Sequence, residues 1–391
     1  MLLFESEKKQ SKQKVGLRYT EFQAVVLAGY GHRLYPLTED KNVPKALLPV
    51  ANKPILFYVL DWLEKAGIYD VMVVTHPDAE HKIGTYLKNA YDGKIKPSLE
   101  VSKEDDAGTA DALRVVKDKI KYDFVVISCD LVLDLPPHSL LDYHRIHNPT
   151  CTVLFYESSK SEGSGSSSAG YKEDGNKVMQ ELDNFFAESV KEIVGVDMMS
   201  SRLVYIAQSA DLDDELSFLV AGTEDYLKSA LPYSSAWAGD NDCYVDCQLY
   251  VYKGDFCCRS NTISRYYEVN RHMAKSVTDT RVATTAVVNQ KTQVGADSLI
   301  GEETKIDERT SIKRSIVGSH CIIGKNVKIT NSIIMDNVVI EDNVKLDVCI
   351  VCNNARIMEK SILKDCEVGA GYVVQAETQT KNEQLVEFRD L

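Results

Sequence analysis

The fold class this sequence predicts is α/β, a doubly wound nucleotidyltransferase-type sheet domain followed by a left-handed parallel β-helix. Three observations carry it. From about residue 20 to residue 280, short apolar runs alternate with amphipathic stretches, as strands and helices do around a parallel sheet. Beyond residue 280 the helical spacing stops and apolar residues recur in steps of 6, 6 and 5. The chain has 391 residues, more than one hydrophobic core usually organises, so two domains are expected.

Residues 1–19 read as a flexible polar lead, in which Lys8, Lys9, Lys12, Lys14 and Arg18 are solvated charges. Phe22 to Ala28 is a continuous apolar run, as expected of a strand buried on both faces. A glycine-containing turn follows. Pro54 to Lys65 then has helical spacing, with Pro54 suited to the first turn and Gly67 to the stop. Val71 to Thr75 reads as a strand, Asp111 to Lys121 as a helix, and Asp123 to Ser128 as another buried strand. Ligands of such sheets bind beyond the carboxyl ends of the strands, where Gly29, Gly31 and Asp130 should lie. The Ser/Gly-rich stretch 158–170 is expected to be a surface insertion within a domain spanning 20–280, with the α/β pattern resuming at Val194.

The second domain is expected over residues 285–375, with 376–391 as a tail. Its apolar positions are Ile300, Ile306, Ile312 and Val317, then Ile323, Ile329 and Ile334, then Ile340, Leu346, Val351 and Ile357. One cycle takes about 17 residues and closes on a similar signature: Ser315-Ile316-Val317, Ser332-Ile333-Ile334, Cys349-Ile350-Val351. Three near-hexapeptide steps per turn make a triangular coil with one inward apolar side chain per side, and stacked turns share one core. A slip of register is expected near Ile362 and Leu363, with the phase returning at Val368-Gly369.

Composition narrows the function. Hydrophobic residues make up 44% of the chain, enough for folded domains rather than disorder. No apolar run is long enough to span a bilayer, and the first residues do not resemble a secretory signal, so a cytosolic protein without membrane partners is expected. The net charge of −13 argues against nucleic acid as a partner. Ten cysteines without a secretory signal are not a disulfide framework, and Cys349-x-x-Cys352 sits inside the repeating apolar pattern. These cysteines are read as small buried hydrophobes, and neither a metal nor a cofactor is expected.

The chemistry is concentrated in LAGYGHRLYPLTEDKNVPKALLPVANKPIL, residues 27 to 56. Glycines at Gly29 and Gly31 let backbone N–H groups approach phosphates, while Arg33 and Lys45 can neutralise a pyrophosphate. The segment resembles the opening signature of the nucleoside-diphosphate-sugar pyrophosphorylase family, LAGG-x-G-T-R-L-x-P-L-T with P-K-x-x-x-P-V downstream. That resemblance implies further roles. Gly108, Thr109 and Ala110 open a G-T-A-x-A-L segment that would cup a nucleobase, and Asp130 matches an aspartate that binds Mg²⁺ in active members.

The departures from that pattern decide the expected function. The glycine loop is one residue short, His32 replaces a threonine, and no Glu-Lys-Pro occurs to hold a sugar phosphate. Residues 259–270, RSNTISRYYEVN, fit the family's D-x-G-T-x-x-x-Y-x-x-A-N, and Arg259 falls on its second metal-binding aspartate. A fixed cation in place of a metal ligand repels the metal. Catalysis is therefore expected to be lost, unless Asp240, Asp242 or Asp246 substitutes. His32 is read either as a phosphate contact or as loop packing.

PKALLPVANKPILFYVLDWL, DFVVISCDLVLDLPP and CCRSNTISRYYEVNR, followed by the hexapeptide pattern, resemble the pyrophosphorylase-like subunits of eukaryotic translation initiation factor 2B. That resemblance implies a gamma-type role: pairing with the epsilon subunit and other subunits, and promoting GDP/GTP exchange on initiation factor 2. In epsilon the exchange activity resides in a C-terminal helical-repeat domain, and a chain ending at Leu391 without one fits the gamma type. The alternative is an active sugar-1-phosphate nucleotidyltransferase similar to mannose-1-phosphate guanylyltransferases. A hexapeptide acyltransferase using His320 is a third reading, against a solvated corner histidine.

Overall fold

The apolar runs of the first half assemble into one sheet. The structure is a computed structural model that describes residues 21–38, 43–102, 109–147, 149, 151–156, 204–207, 247–252, 254–277 and 281–386. In chain order the first domain contains β1 (Phe22–Ala28), the short pair β2 (Pro49–Val50) and β3 (Lys53–Pro54), α1 (Ile55–Ala66), β4 (Val71–Thr75), α2 (Pro77–Asn89), β5 (Ser98–Val101) and α3 (Thr109–Val116). It continues with β6 (Asp123–Ser128), β7 (Leu131–Leu133), α4 (Pro137–His147), β8 (Cys151–Tyr156), β9 (Val204–Ala207), β10 (Cys247–Tyr252), β11 (Cys257–Arg259) and α5 (Ile263–Ser276). The seven-stranded sheet runs β10-β8-β9-β6-β1-β4-β5. Its centre, β1 between β4 and β6, is parallel and almost entirely buried.

The sheet differs from the expected all-parallel one at a single strand. β9 runs antiparallel to both β6 and β8. Strand direction leaves no mark in a short apolar run, so periodicity could not reveal it. The helix expected over Asp111 to Lys121 instead runs Thr109–Val116 and tightens into a 3₁₀ turn at Lys117–Lys119. Pro54 lies one residue ahead of α1, as its N-cap. Gly67 ends α1 at φ 79°, donating to Glu64 O, while Ile68 N–H donates to Leu63 O. This double bond is the Schellman closure, which needs a left-handed residue there. The insertion at 158–170 and the restart at Val194 lie outside the described residues.

The second domain is a parallel coil of three six-stranded sheets, one per side of the triangle. Ile306, Ile312, Val317, Ile323, Ile329, Ile334, Ile340, Leu346, Val351 and Ile357 all point into its single core. The expected slip near Ile362 does not occur. Leu346 pairs with Leu363, and Leu363 joins the core while Ile362 faces outward at 37% exposure. Ile362 stands where the two preceding turns carry Lys345 and Lys328, so two adjacent apolar residues concealed which one points inward. The coil also continues past residue 375. Gln379–Lys381 and Gln384–Leu385 are strands within the segment expected to be a tail.

Corner geometry explains the polar half of the repeat. Each turn bends through residues at positive φ, among them Asn326, Asn331, Asn337, Asn343 and Asn354 at 46° to 60° and 62°. Asparagine tolerates this left-handed region better than other residues with a side chain. The small residue after one corner then holds the amide of the next turn. Ser332 N–H donates to Ser315 Oγ at 3.0 Å, and Cys349 N–H donates to Ser332 Oγ at 3.1 Å. Cys349 belongs to the coil core, whereas Cys352 packs in a different cluster on the outer side. The C-x-x-C is thus divided between two cores.

One outer face of the coil is buried against the first domain. Ile333, Met335, Ile350 and Cys352 pack with Leu34, Leu37, Val50, Val132, Tyr266 and Val269. Polar contacts lock the joint. Asn52 Nδ2 donates to Val317 O at 2.9 Å, and Tyr267 Oη donates to Asn331 O.

Candidate functional site

Asp130 is positioned by the turn between β6 and β7. Cys129 N–H donates to Leu27 O at 3.0 Å, tying this turn to the end of β1. β7 pairs antiparallel with β11, which sets Arg259 opposite Leu131 and beside the carboxylate. Lys45 arrives from the 3₁₀ turn Lys45–Leu47, which follows the glycine loop. Gly31 allows its approach: with φ 80°, a Cβ there would stand 2.9 Å from Lys45 Cδ. The missing side chain is therefore required both by the backbone and by the lysine.

These elements bring together a buried carboxylate and two cations. Asp130 is 0% exposed. Lys45 Nζ lies 2.5 Å from Oδ2. Arg259 donates from Nε to Oδ1 at 3.1 Å and from Nη2 to Oδ2 at 3.4 Å. Ser128 Oγ donates to Oδ1 at 2.5 Å and accepts from Arg259 Nη2 at 3.0 Å. Burial pushes the Asp130 carboxyl up, but the Arg259 and Lys45 charges and the Ser128 hydrogen bond overcome it and hold the group well below the usual carboxylate range.

A divalent cation fits this donor set poorly. Mg²⁺ needs carboxylate oxygens at about 2.0–2.1 Å with room for its waters. Here both Asp130 oxygens already accept from Lys45, Arg259 and Ser128. The position matched to a second carboxylate holds a guanidinium instead. Asp240, Asp242 and Asp246 lie outside the described residues.

The remaining site positions are less converged. Gly29 is exposed beyond β1, and Arg33 is exposed in the 3₁₀ turn His32–Leu34. Thr109 and Ala110 open α3, and Gly108 lies outside the described residues. His32 takes part in an aromatic stack: its ring is 5.3 Å from Tyr30, which lies 3.7 Å from His76 after β4. Burial pushes the His76 imidazole down. At the corner of the coil, His320 has φ 56° and pairs with Glu303 at 3.2 Å while more than half exposed, as a solvated corner residue does.

Sequence reasoning missed Ser128 and His76. Ser128 lies two residues before Asp130, where the strand ends and both side chains can face the same opening. That spacing was a usable signal. Nothing in the sequence singled out His76.

The second half of the 259–270 motif has a structural role. Thr262 caps α5 by accepting from Arg265 N–H at 3.4 Å. Tyr266, fully buried, donates to Pro49 O at 2.5 Å. Asn270 accepts from Ala51 N–H and donates to Tyr266 O, each at 3.0 Å. Together they clamp the β2–β3 turn, where Ala51 and Asn52 have φ 46° and 63°.

Comparison with known proteins agrees with both domains. A nucleotidyl transferase family model matches residues 23–180, and a model of the EIF2B subunit epsilon LbH domain matches residues 280–380. Translation initiation factor eIF2B subunit gamma of Schizosaccharomyces pombe is 35% identical over 95% of this chain and 91% of its own length. The eIF2B subunit gamma of Dictyostelium discoideum is 28% identical over 51% of this chain and 44% of its own length. Mannose-1-phosphate guanyltransferase of Candida albicans is 30% identical, but over only 33% of this chain and 36% of its own. With similarity of that first kind along both domains, the chain belongs to the family of translation initiation factor eIF2B gamma subunits.

Proposed function

We propose that this chain is a non-catalytic gamma-type subunit that pairs with an epsilon-type subunit and supports GDP/GTP exchange on translation initiation factor 2 in the cytosol. The observation that carries the non-catalytic part is the double engagement of Asp130 by Lys45 and Arg259. Nucleotidyl transfer needs a metal at the phosphates and a free cation for the leaving pyrophosphate. In this chain one buried carboxylate engages both cations. A phosphate reaching Lys45 must compete with a buried aspartate, so any nucleotide held by Gly29, Gly31, Lys45 and the Gly108–Ala110 segment is held weakly.

Similarity to guanyltransferases over a third of the chain supports shared ancestry of the sheet domain, and similarity to the gamma subunits over 95% of it supports the assembly role. A permanent partner interface of this sort buries ~2,000 Å² or more. Co-expression with the epsilon-type subunit is expected to give a stable one-to-one complex that releases GDP from initiation factor 2 faster than epsilon alone. Purified chain with Mg²⁺, nucleoside triphosphates and hexose 1-phosphates is expected to release no pyrophosphate. Asp130-dependent pyrophosphate release would overturn the non-catalytic reading. A chain that ignores epsilon and leaves exchange unchanged would overturn the assembly role.

A further inference from the structure

The three outer faces of the coil are chemically distinct. One is buried against the first domain. A second carries Val287, Ile322 and Val373 exposed, with Lys305 and Arg356 between them. The third is basic: outward positions of its strands hold Lys313, Lys328, Lys345, Lys364 and Lys381. Asp347 is the one carboxylate among the strand positions of that face.

None of these five lysines has an ion partner among the described residues. Several cations elsewhere on the coil do: Lys325 with Glu308, Arg356 with Glu341 and Lys360 with Glu377. The unpaired lysines are also stacked on one another. Lys328 sits in register with Lys345, and Lys364 stands between Asp347 and Lys381, on neighbouring parallel strands. Neighbouring strands lie about 4.8 Å apart, and like charges directly opposite are destabilising. The tract continues beyond Lys313 through Arg314, which lines a cleft of about 240 Å³ under α5 together with Arg271 and Lys275. Asp297 is the acidic group lining that cleft, and none of the three cations has an ion partner among the described residues.

We propose that this lysine-bearing face is a docking surface for an extended, Glu/Asp-rich segment of a partner protein, with one of its carboxylates seated between Arg271 and Arg314. Complementary charge selects the partner. Nucleic acid fits less well. The described strand positions of the face carry no aromatic residue on which bases could stack. Ile362, 37% exposed between Lys345 and Gln379, offers an apolar contact that suits a polypeptide.

The inference is independent of exchange activity and of pairing with epsilon. Its test uses the full chain and a fluorescein-labelled Glu-rich peptide containing one leucine, followed by fluorescence anisotropy at about 50 mM salt, where screening is modest. Binding is expected to weaken as salt rises, and by at least about tenfold in Lys328→Glu/Lys345→Glu, whose melting temperature stays at the parent value. Lys305→Glu, on the neighbouring face, is expected to leave affinity unchanged. Absence of binding, equal affinity in the double variant, or tighter binding of an oligoribonucleotide of the same charge overturns the proposal. So does protection of Lys328 and Lys345 from acetylation in the free chain, which would mean that its own residues cover the face.

Discussion

Replacing Arg259 by methionine removes the guanidinium while keeping a side chain of similar length, and the arrangement around Asp130 fixes what this should cost. Removing one partner of a buried ion pair costs about 3–5 kcal/mol, because the other charge is left in a poor solvent. Lys45 remains 2.5 Å from the carboxylate, and one of the two arginine bonds to Asp130 is long, at 3.4 Å. Both place the loss at the lower end, about 3 kcal/mol. In domains of this size that lowers the melting temperature by about 6–12 °C. Urea unfolding at neutral pH measures it, in parallel with Asp130→Asn and the double variant.

Arg259→Met should cost far less in the Asp130→Asn background, with a coupling of about 2 kcal/mol. The pH dependence has a definite sign. Asp130's folded carboxyl is held below its unfolded value, so its contribution is fully present above about 3.9 and is lost as pH falls through the folded value. Without Arg259, burial is opposed mainly by Lys45, the folded value rises, and the contribution shrinks. The gap between parent and variant should therefore be widest near neutrality and narrow as pH falls below about 4. A neutral-pH cost under about 1 kcal/mol, or additive variants, would refute the claim that Arg259 is the counter-charge of Asp130.

Three further substitutions probe the frame around the site. Ile329→Asp puts a charge into the closed core, where Ile329 is 0% exposed between Ile312 and Leu346, and should cost several kcal/mol in urea unfolding; Lys328→Asp, outward and in register with Lys345, should be silent or slightly stabilising. Val348 adopts φ 56° despite its branched side chain, so Val348→Asn should raise the urea midpoint by an amount equivalent to about 1 kcal/mol. Asn270→Ala leaves the Ala51 amide without its side-chain acceptor; it should cost about 1–3 kcal/mol and speed proteolysis at the domain joint, and an unchanged digestion pattern would deny Asn270 its clamping role.

Much of this could be read from the sequence because the two periodicities are strong. The 6, 6, 5 phase located the inward residue of nearly every side of the coil, since each inward position must be apolar for the stack to close. It failed at Ile362, where the outward neighbour is also apolar and periodicity carries no information about direction. The antiparallel insertion of β9 was hidden for a related reason: a short apolar strand has the same composition whichever way it runs. At the site, the sequence identified Asp130, Lys45 and Arg259 but predicted repulsion of a metal, not a closed ion cluster. The difference lies in the pairing of β7 with β11, a contact between residues 124 to 128 positions apart that no local pattern encodes. The lysine face was likewise visible as residues but not as a face, because its charges are 15 to 19 positions apart in the chain and adjacent only once the coil is wound.

On the non-catalytic reading proposed above, the 259–270 segment has given up a chemical role and kept a structural one. Its first residue projects from β11 toward Asp130, where an aspartate would share a metal and an arginine forms a salt bridge. Its later residues, Thr262, Tyr266 and Asn270, start α5, reach Pro49 and hold the Ala51 amide, so they serve the joint between the domains. A two-carboxylate metal site here would require a second carboxylate beside a buried one, a repulsive pair unless metal is bound. Arg259 replaces that conditional attraction with a permanent one. A cluster stabilised without metal or nucleotide keeps β7, β11 and α5 in place at all times. Through Tyr266 and Tyr267 it also keeps the coil seated on the sheet domain. For an enzyme that permanence would stop turnover. For a subunit of the proposed kind, which presents two fixed domains to its partners, it is the property the fold needs.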